Sequence, residues 1–115
     1  MGSSIINRIE KIENTIYIGR NGGVSIYKNG NLKNIDFPKE LGNDVYSFYK
    51  KGKKIYLGTK LGLYTLEEND KLIKVGSTPS DFIFDIINYE GKLHLASNKG
   101  YYIYNDKNWY RLFRN

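Results

Sequence analysis

A unit of about 39 residues is repeated three times in this 115-residue chain, and this repeat constrains the fold more than any other feature. The similar segments at residues 16–19, 55–58 and 93–96 follow one another at intervals of 39 and 38 residues. Four residues after each segment comes a glycine that begins a second alternating segment, namely Gly23, Gly62 and Gly100. A period near 40 built from short alternating segments is typical of β-propellers, in which one repeat forms one sheet that cannot bury both of its faces alone.

Each repeat predicts four short strands, labelled A to D in chain order. In the second repeat they cover residues 45–49, 54–59, 62–67 and 71–75. These segments are rich in β-branched and aromatic residues and are bounded by glycine, asparagine or aspartate, which favour turns. The repeat therefore predicts an all-β fold, a β-propeller with three four-stranded antiparallel blades per chain.

The chain has the length of one domain, which we expect over residues 5–115. The three blades are expected at about residues 5–36, 45–75 and 83–113. Residues 1–4, Met-Gly-Ser-Ser, have the composition of an expression scar. In the first blade, residues 5–14 have isoleucines at helical spacing. The repeat register instead predicts a strand over residues 5–9 and a turn near Asn14.

Composition removes several functional classes. The chain has no cysteine and one histidine, which excludes disulfides and the usual Cys/His metal sites. No apolar run reaches the length of about 18 residues that a membrane helix needs. We expect no metal, no cofactor and no catalytic residue. His94 occupies the position of Tyr17 and Tyr56 in the other repeats and is interpreted as a packing residue. An enzyme acting on anionic polysaccharide, with His94 and a nearby tyrosine, is kept as an alternative.

The chain is basic, with a net charge of +6, and contains 11 tyrosines. Basic charge with interleaved aromatic residues can indicate nucleic-acid binding. Here the aromatic residues follow the repeat register, as Tyr46 and Phe84 do, which favours packing between blades over base stacking. The charge favours an anionic surface or a carbohydrate as the ligand rather than a nucleic acid.

One segment resembles a known repeat. Residues 52–64, Gly-Lys-Lys-Ile-Tyr-Leu-Gly-Thr-Lys-Leu-Gly-Leu-Tyr, are similar to the two-component-regulator type propeller repeat. The first repeat differs in having Arg20 where Thr59 stands, and the third has Ala96-Ser97 in place of Gly58-Thr59. The resemblance implies a β-propeller, a non-catalytic sensory role, and a bacterial protein outside the cytoplasm.

Three blades are too few to close a ring, because known propellers use about four to eight. The hypothesis from the sequence is a homodimer that forms one six-bladed ring; the alternative is that the chain is a fragment of a longer propeller. The predicted dimer seam comprises Ile16, Ile18, Val24, Ile26, Leu93, Leu95, Tyr101 and Ile103.

Ligands of propellers usually bind at the loops between strands B and C and between strands D and A. Each B–C loop carries one cation beside hydrogen-bonding side chains, and residues 36–44 form a long D–A loop with Phe37 as an exposed aromatic candidate. These features indicate either a basic mouth for an anionic or sugar ligand, as in a sensor, scaffold or lectin, or merely solvated loops. The candidate ligand-binding residues are Arg20, Asn21, Thr59, Lys60, Ser97, Asn98, Lys99 and Phe37.

Overall fold

The computed structural model describes residues 5–41, 44–76, 81–105 and 107–112, and shows three four-stranded antiparallel sheets in sequence order. The first sheet contains β1 (Ile6–Ile12), β2 (Thr15–Arg20), β3 (Gly23–Lys28) and β4 (Asn31–Asp36). The second contains β5 (Val45–Lys51), β6 (Lys54–Thr59), β7 (Gly62–Leu66) and β8 (Leu72–Lys74). The third contains β9 (Ile83–Tyr89), β10 (Lys92–Ser97), β11 (Gly100–Tyr104) and β12 (Trp109–Arg111). A short 3₁₀ helix, Lys39–Leu41, follows the first sheet.

The strands predicted in the second repeat are confirmed, with ends that differ by one or two residues. The strand reading of the first segment is also confirmed, because β1 covers the residues whose isoleucine spacing could have formed a helix. Ile9 of β1 pairs with Ile18 of β2 in the antiparallel ladder. Pairing with a neighbouring strand therefore decides between two patterns that the local sequence allows.

Successive sheets pack face to face. Between the first two sheets lies a core of buried residues, comprising Val24, Ile35, Phe37, Val45, Phe48, Ile55, Leu57 and Leu66. Between the second and third lies another, comprising Tyr56, Leu63, Ile83, Ile86, Leu93, Leu95 and Tyr102. Because side chains alternate along a strand, neighbouring residues such as Tyr56 and Leu57 belong to different cores. Among the described residues, therefore, the second sheet alone has both faces covered by protein.

The first strand of each sheet lies nearest a common axis. The Arg8 Nη2 atom on β1 is 3.3 Å from the Asp85 Oδ1 atom on β9. Side chains of the first and third sheets therefore contact each other although the second sheet lies between these sheets in the sequence. Asn7 Nδ2 on β1 also donates a hydrogen bond to the Val45 carbonyl on β5, at 3.2 Å. This is a propeller-like arrangement, with β1, β5 and β9 as inner strands.

The structure corrects half of the predicted dimer seam. Val24 and Ile26 pack in the core between the first two sheets, and Leu93 and Leu95 are buried between the second and third. Ile16 and Ile18 lie on the opposite face of the first sheet, and Tyr101 and Ile103 on the opposite face of the third. The error has a simple cause, since residues one position apart on a strand point to opposite faces.

We call the uncovered face of the first sheet the leading face and that of the third sheet the trailing face. The leading face carries Ile9, Ile16, Ile18, Tyr27 and Leu32. The trailing face carries Ile87, Tyr89, His94, Tyr101, Ile103 and Tyr110. Both faces are rich in apolar side chains.

Close packing between sheets depends on a glycine in the second strand. A Cβ atom at Gly19 would lie 2.7 Å from the Val45 carbonyl oxygen, and one at Gly58 would lie 2.5 Å from the Ile83 carbonyl oxygen. Real Cβ atoms do not approach an oxygen this closely. The inner strand of each following sheet therefore packs directly against these glycines.

We predict that Gly58→Ala destabilises the chain by about 1–3 kcal/mol, because β9 must move away from β6 to admit the methyl group. Urea unfolding followed by tryptophan fluorescence measures the change. The control is Gly52→Asn, in an open turn where the neighbouring repeats place Glu13 and Glu90 at similar positive φ angles. Equal stability of Gly58→Ala and the wild type would contradict close packing at this point.

Candidate functional site

The B–C turns of the three sheets lie at the same end of the fold, which we call the loop face. Each turn is tied to the residue that precedes the inner strand of its own sheet. Backbone amides of Asn21, Lys60 and Asn98 donate to the carbonyls of Ile5, Asp44 and Phe82, at 3.1, 3.1 and 3.2 Å. The sequence register that aligned these turns thus corresponds to a real alignment in space.

Arg20 and Phe37 are two of four predicted ligand-binding residues that are buried, the others being Thr59 and Ser97. Arg20 is 5% exposed, and its guanidinium binds Asp36 at 2.8 Å and Ser25 at 3.0 Å. Phe37 was expected to be an exposed aromatic residue, but it is 7% exposed and packs in the core between the first two sheets. The burial of Arg20 and Phe37 comes from the end of β4, where Asp36 supplies Arg20 with a carboxylate. The next residue, Phe37, donates its backbone amide to the Gly22 carbonyl and places its ring in the core.

Four other predicted residues hold the turns in place. The Thr59 and Ser97 hydroxyls donate to the carbonyls of Gly62 and Gly100, at 2.9 Å in each case. The Asn21 side chain accepts a hydrogen bond from Asn7, and the Asn98 side chain accepts one from the amide of Phe82. The side chains of Lys60 and Lys99 are exposed at the loop face.

An aromatic cluster at the loop face was not predicted as a site. We define the loop-face aromatic cluster as Tyr46, Phe82 and Phe84. The rings of Tyr46 and Phe82 are 4.4 Å apart, and those of Phe82 and Phe84 meet edge to face at 5.6 Å. Phe84 is 41% exposed, and the other two are half-buried. The cluster thus exposes part of its aromatic surface to solvent.

Irregularities in the inner strands set the orientation of two side chains in this cluster. The inner strands shift register between Ile6 and Arg8, between Val45 and Ser47, and opposite the pair Ala96 and Ser97. The residues passed over are Asn7, Tyr46 and Phe84, which are equivalent in the three repeats. A bulge turns its extra side chain away from the regular alternation. The recurrence of aromatic residues at 46 and 84 was visible in the sequence, but it was interpreted as packing.

Charged groups accompany the aromatic rings. Arg8 Nη2 is 3.3 Å from the Phe84 carbonyl oxygen as well as from Asp85, which places a guanidinium beside the cluster. Burial, reinforced by the Asp44 carboxylate, raises the pKa of the Tyr46 hydroxyl above its ordinary value. Tyr46 is therefore a neutral hydrogen-bonding group at physiological pH. The site combines aromatic surface, a hydroxyl and the ion pairs of Arg8 with Asp85 and Glu10.

Two aspartates, Asp81 and Asp85, lie close together in the sequence near the start of β9, but they have separate partners. Asp81 accepts a hydrogen bond from the Tyr102 hydroxyl at 2.6 Å, while Asp85 binds Arg8. Burial and the bond to Asp81 raise the pKa of Tyr102 above its usual range. These contacts fix the loop before β9 and do not form a paired acid and base. In the part of the chain that the structure describes, no three His, Cys, Asp or Glu side chains come together to hold a metal ion.

His94 lies on the trailing face, away from the loop-face aromatic cluster. Its Nδ1 atom is 2.6 Å from the Tyr101 hydroxyl, and its ring contacts that of Tyr89 at 5.7 Å. Its cross-strand partner is Ile103, as Tyr56 faces Thr65 and Tyr17 faces Ile26. His94 thus occupies the tyrosine position of the repeat. None of the described helices is long and apolar enough to cross a membrane.

We predict that His94→Tyr folds and assembles as the wild type does, since the other two sheets hold a tyrosine at this position. The free energy of unfolding should change by about 1 kcal/mol or less. Urea unfolding measures stability, and a cleavage assay on acidic oligosaccharides measures activity. Cleavage by the wild type that is lost in a folded His94→Tyr protein would show that the chain is an enzyme.

Comparison with known proteins supports the resemblance inferred from the repeat. No family model and no curated protein matches the chain. Among solved structures, the chain is similar to one described as the extracellular domain of a hybrid two-component system from B. thetaiotaomicron, with a TM-score of 0.72 and 25% identity. The match covers 100% of this chain but 16% of that one, so the chain spans about a sixth of its neighbour's length. The fold is therefore similar to part of an extracellular domain of a two-component system.

Proposed function

We propose that this chain is a non-catalytic β-propeller module of the sensor or scaffold type, which closes a six-bladed ring with a second copy and binds a ligand at its loop face. The proposal extends the similarity to an extracellular domain of a two-component system to this chain. It implies a location outside the cytoplasm. The two parts of the proposal, assembly and ligand binding, rest on different residues.

The observation that carries the proposal is the unequal burial of equivalent residues. Phe48 and Ile86 are 1% and 5% exposed, because each lies on a face covered by the preceding sheet. Ile9 occupies the same position in the first sheet and is 66% exposed. The sequence thus supplies a residue for packing at a face that the chain itself leaves uncovered.

The trailing face has the complementary property. Ile87, Tyr89 and Tyr110 are exposed on the third sheet, on the face equivalent to the one that each of the first two sheets packs against its successor. A large exposed apolar patch usually marks an interaction surface. A second copy offers a leading face to this trailing face and a trailing face to the leading one, so that a two-fold axis closes both seams at once.

The size of such an interface reaches the lower limit for a specific dimer. A face of four strands about 4.8 Å apart, with about five residues per strand, has an area of roughly 300 Å². Two seams remove about 1,200 Å² from water, at the lower limit of specific interfaces. The extents of the chain, 41 × 27 × 21 Å, are compatible with half of a flat disc.

Ligand binding is assigned to the loop-face aromatic cluster and its basic surroundings. Exposed aromatic rings provide a stacking surface for a flat, partly apolar ligand such as a sugar ring. Exposed Lys60 and Lys99 at the loop face favour an acidic group on that ligand. We therefore propose an acidic oligosaccharide, with neutral sugar binding as in a lectin as the alternative.

We predict a dimer of twice the 13.3 kDa chain mass at micromolar concentration in sedimentation equilibrium. Ile103→Asp, on the trailing face, should give a folded monomer, because the seam cannot hold an unpaired carboxylate. The matched control is Leu95→Asp on the adjacent strand, which places the charge inside the core and should unfold the chain. A wild-type chain that stays a stable monomer even at about 100 μM would contradict ring closure.

We predict that the wild type binds an acidic oligosaccharide and that Phe84→Ala weakens binding about three- to tenfold, as the loss of one aromatic contact of about 0.5–1.5 kcal/mol requires. Calorimetry against acidic and neutral oligosaccharides measures the affinities. Ile73→Ala, an exposed apolar residue on β8 of the second sheet, is the control. Binding that is equal in Phe84→Ala and the wild type would remove the aromatic cluster from the site.

A further inference from the structure

An ion pair joins the first two sheets at the end opposite the loop face. The Lys50 ammonium on β5 is 2.6 Å from the Glu13 carboxylate in the turn between β1 and β2. The carboxylate raises the pKa of Lys50 above its ordinary value, chiefly through their hydrogen bond. Glu13 belongs to the earlier sheet and Lys50 to the later one, so the pair marks the direction in which one sheet follows another.

The repeat places an equivalent lysine on the first sheet and an equivalent glutamate on the third sheet, the two sheets with an uncovered face. Lys11 on β1 occupies the position of Lys50, since both lie two residues after the equivalent Ile9 and Phe48. Glu90 occupies the position of Glu13 in the turn between β9 and β10, and the two glutamates have nearly equal φ angles of 52° and 56°. The lysine therefore belongs to the leading face and the glutamate borders the trailing face.

The junction between the second and third sheets does not contain this pair. At the corresponding positions the chain has Gly52 and Asn88. The lysine and glutamate are thus not general features of the repeat. They occur together once within the chain, and their second occurrence is divided between its two uncovered ends.

We propose that the leading face of one protomer docks on the trailing face of another in the register of the first two sheets, with the Lys11 ammonium bound to the carboxylate of Glu90 in the partner protomer at both seams. This inference rests on the proposed ring and specifies its contacts. The occupant of each uncovered face is a second copy of this chain, because the chain itself carries both members of the pair.

The apolar surfaces agree with this register. A depression of about 370 Å³ on the trailing face is lined by residues that include His94, Ala96 and Tyr101. In the register of the first two sheets, Ile18 of the second copy occupies the place that Leu57 takes against Val24. Tyr101 is the third-sheet equivalent of Val24, so Ile18 of the partner enters this depression.

The seam differs from the internal junctions at the position of Gly19 and Gly58. Gly19 and Gly58 allow the next inner strand to pack against their backbone, whereas Ala96 holds the equivalent position in the third sheet. Its methyl group keeps the partner's β1 farther away than β5 or β9 is kept within the chain. The seams should therefore separate on dilution while each chain stays folded.

Reversing the charges separately tests the register. Lys11→Glu gives a homodimer with two glutamates facing each other at both seams, and Glu90→Lys gives one with two lysines facing each other. We expect each homodimer to dissociate at least about tenfold more readily than the wild type at low salt. In an equimolar mixture of the two variants, the heterodimer has opposite charges at both seams. Native mass spectrometry with one variant mass-tagged should show the heterodimer in excess over the statistical half.

The control variants are Lys54→Glu and Glu68→Lys, which make the same changes at exposed positions of the second sheet. They should dimerise as the wild type does and mix statistically. A wild-type monomer would overturn the ring itself. A wild-type dimer whose charge variants also mix statistically would leave the ring standing and overturn this register. Excess heterodimer from Lys11→Glu and Glu90→Lys alone supports it, because a dimer that joins two leading or two trailing faces would not bring these positions together.

Discussion

The structure depends on one constraint, which is that a four-stranded sheet with two apolar faces must have both covered. The second sheet meets it, since Leu57 on one face and Tyr56 on the other are both buried by neighbouring sheets. The first and third sheets each have one apolar face covered and one uncovered. Burial of an apolar side chain contributes about 1.5–3 kcal/mol, so each uncovered face represents a substantial unused stabilisation. The proposed assembly rests on this imbalance rather than on any special binding motif.

The same repeats separate the residues that pack between sheets from those of the candidate site. Regularly alternating positions of the strands are committed to the cores between sheets, where a change in volume affects stability. The bulged positions lie outside that alternation, so Asn7, Tyr46 and Phe84 can differ in chemistry while the strands around them stay alike. This explains why the aromatic surface gathers at the loop face beside the second and third inner strands, and why it is absent beside the described first strand.

The candidate site was only partly predictable. The loop face itself, and the exposure of Lys60 and Lys99, followed from turn residues that recur at fixed intervals. The burial of Arg20 and Phe37 differs from the expectation because it depends on contacts with β3, with β4 and with the core between the first two sheets, which no local pattern specifies. The seam was misjudged for Val24, Ile26, Leu93 and Leu95 because alternation separates two faces but does not say which face meets a neighbour.

The sequence by itself determined the number of sheets, their four-strand composition and the positions of the turns, because these follow from local alternation and from turn residues repeated every 38 or 39 residues. It also determined that β1 is a strand, through its register with the other repeats. Only the tertiary structure decided which face of each sheet is covered, which side chains meet near the axis, and that Tyr46, Phe82 and Phe84 form one cluster. These properties depend on the direction in which one sheet packs on the next, and that direction is set by contacts between residues distant in sequence, such as Gly58 with Ile83 and Arg8 with Asp85.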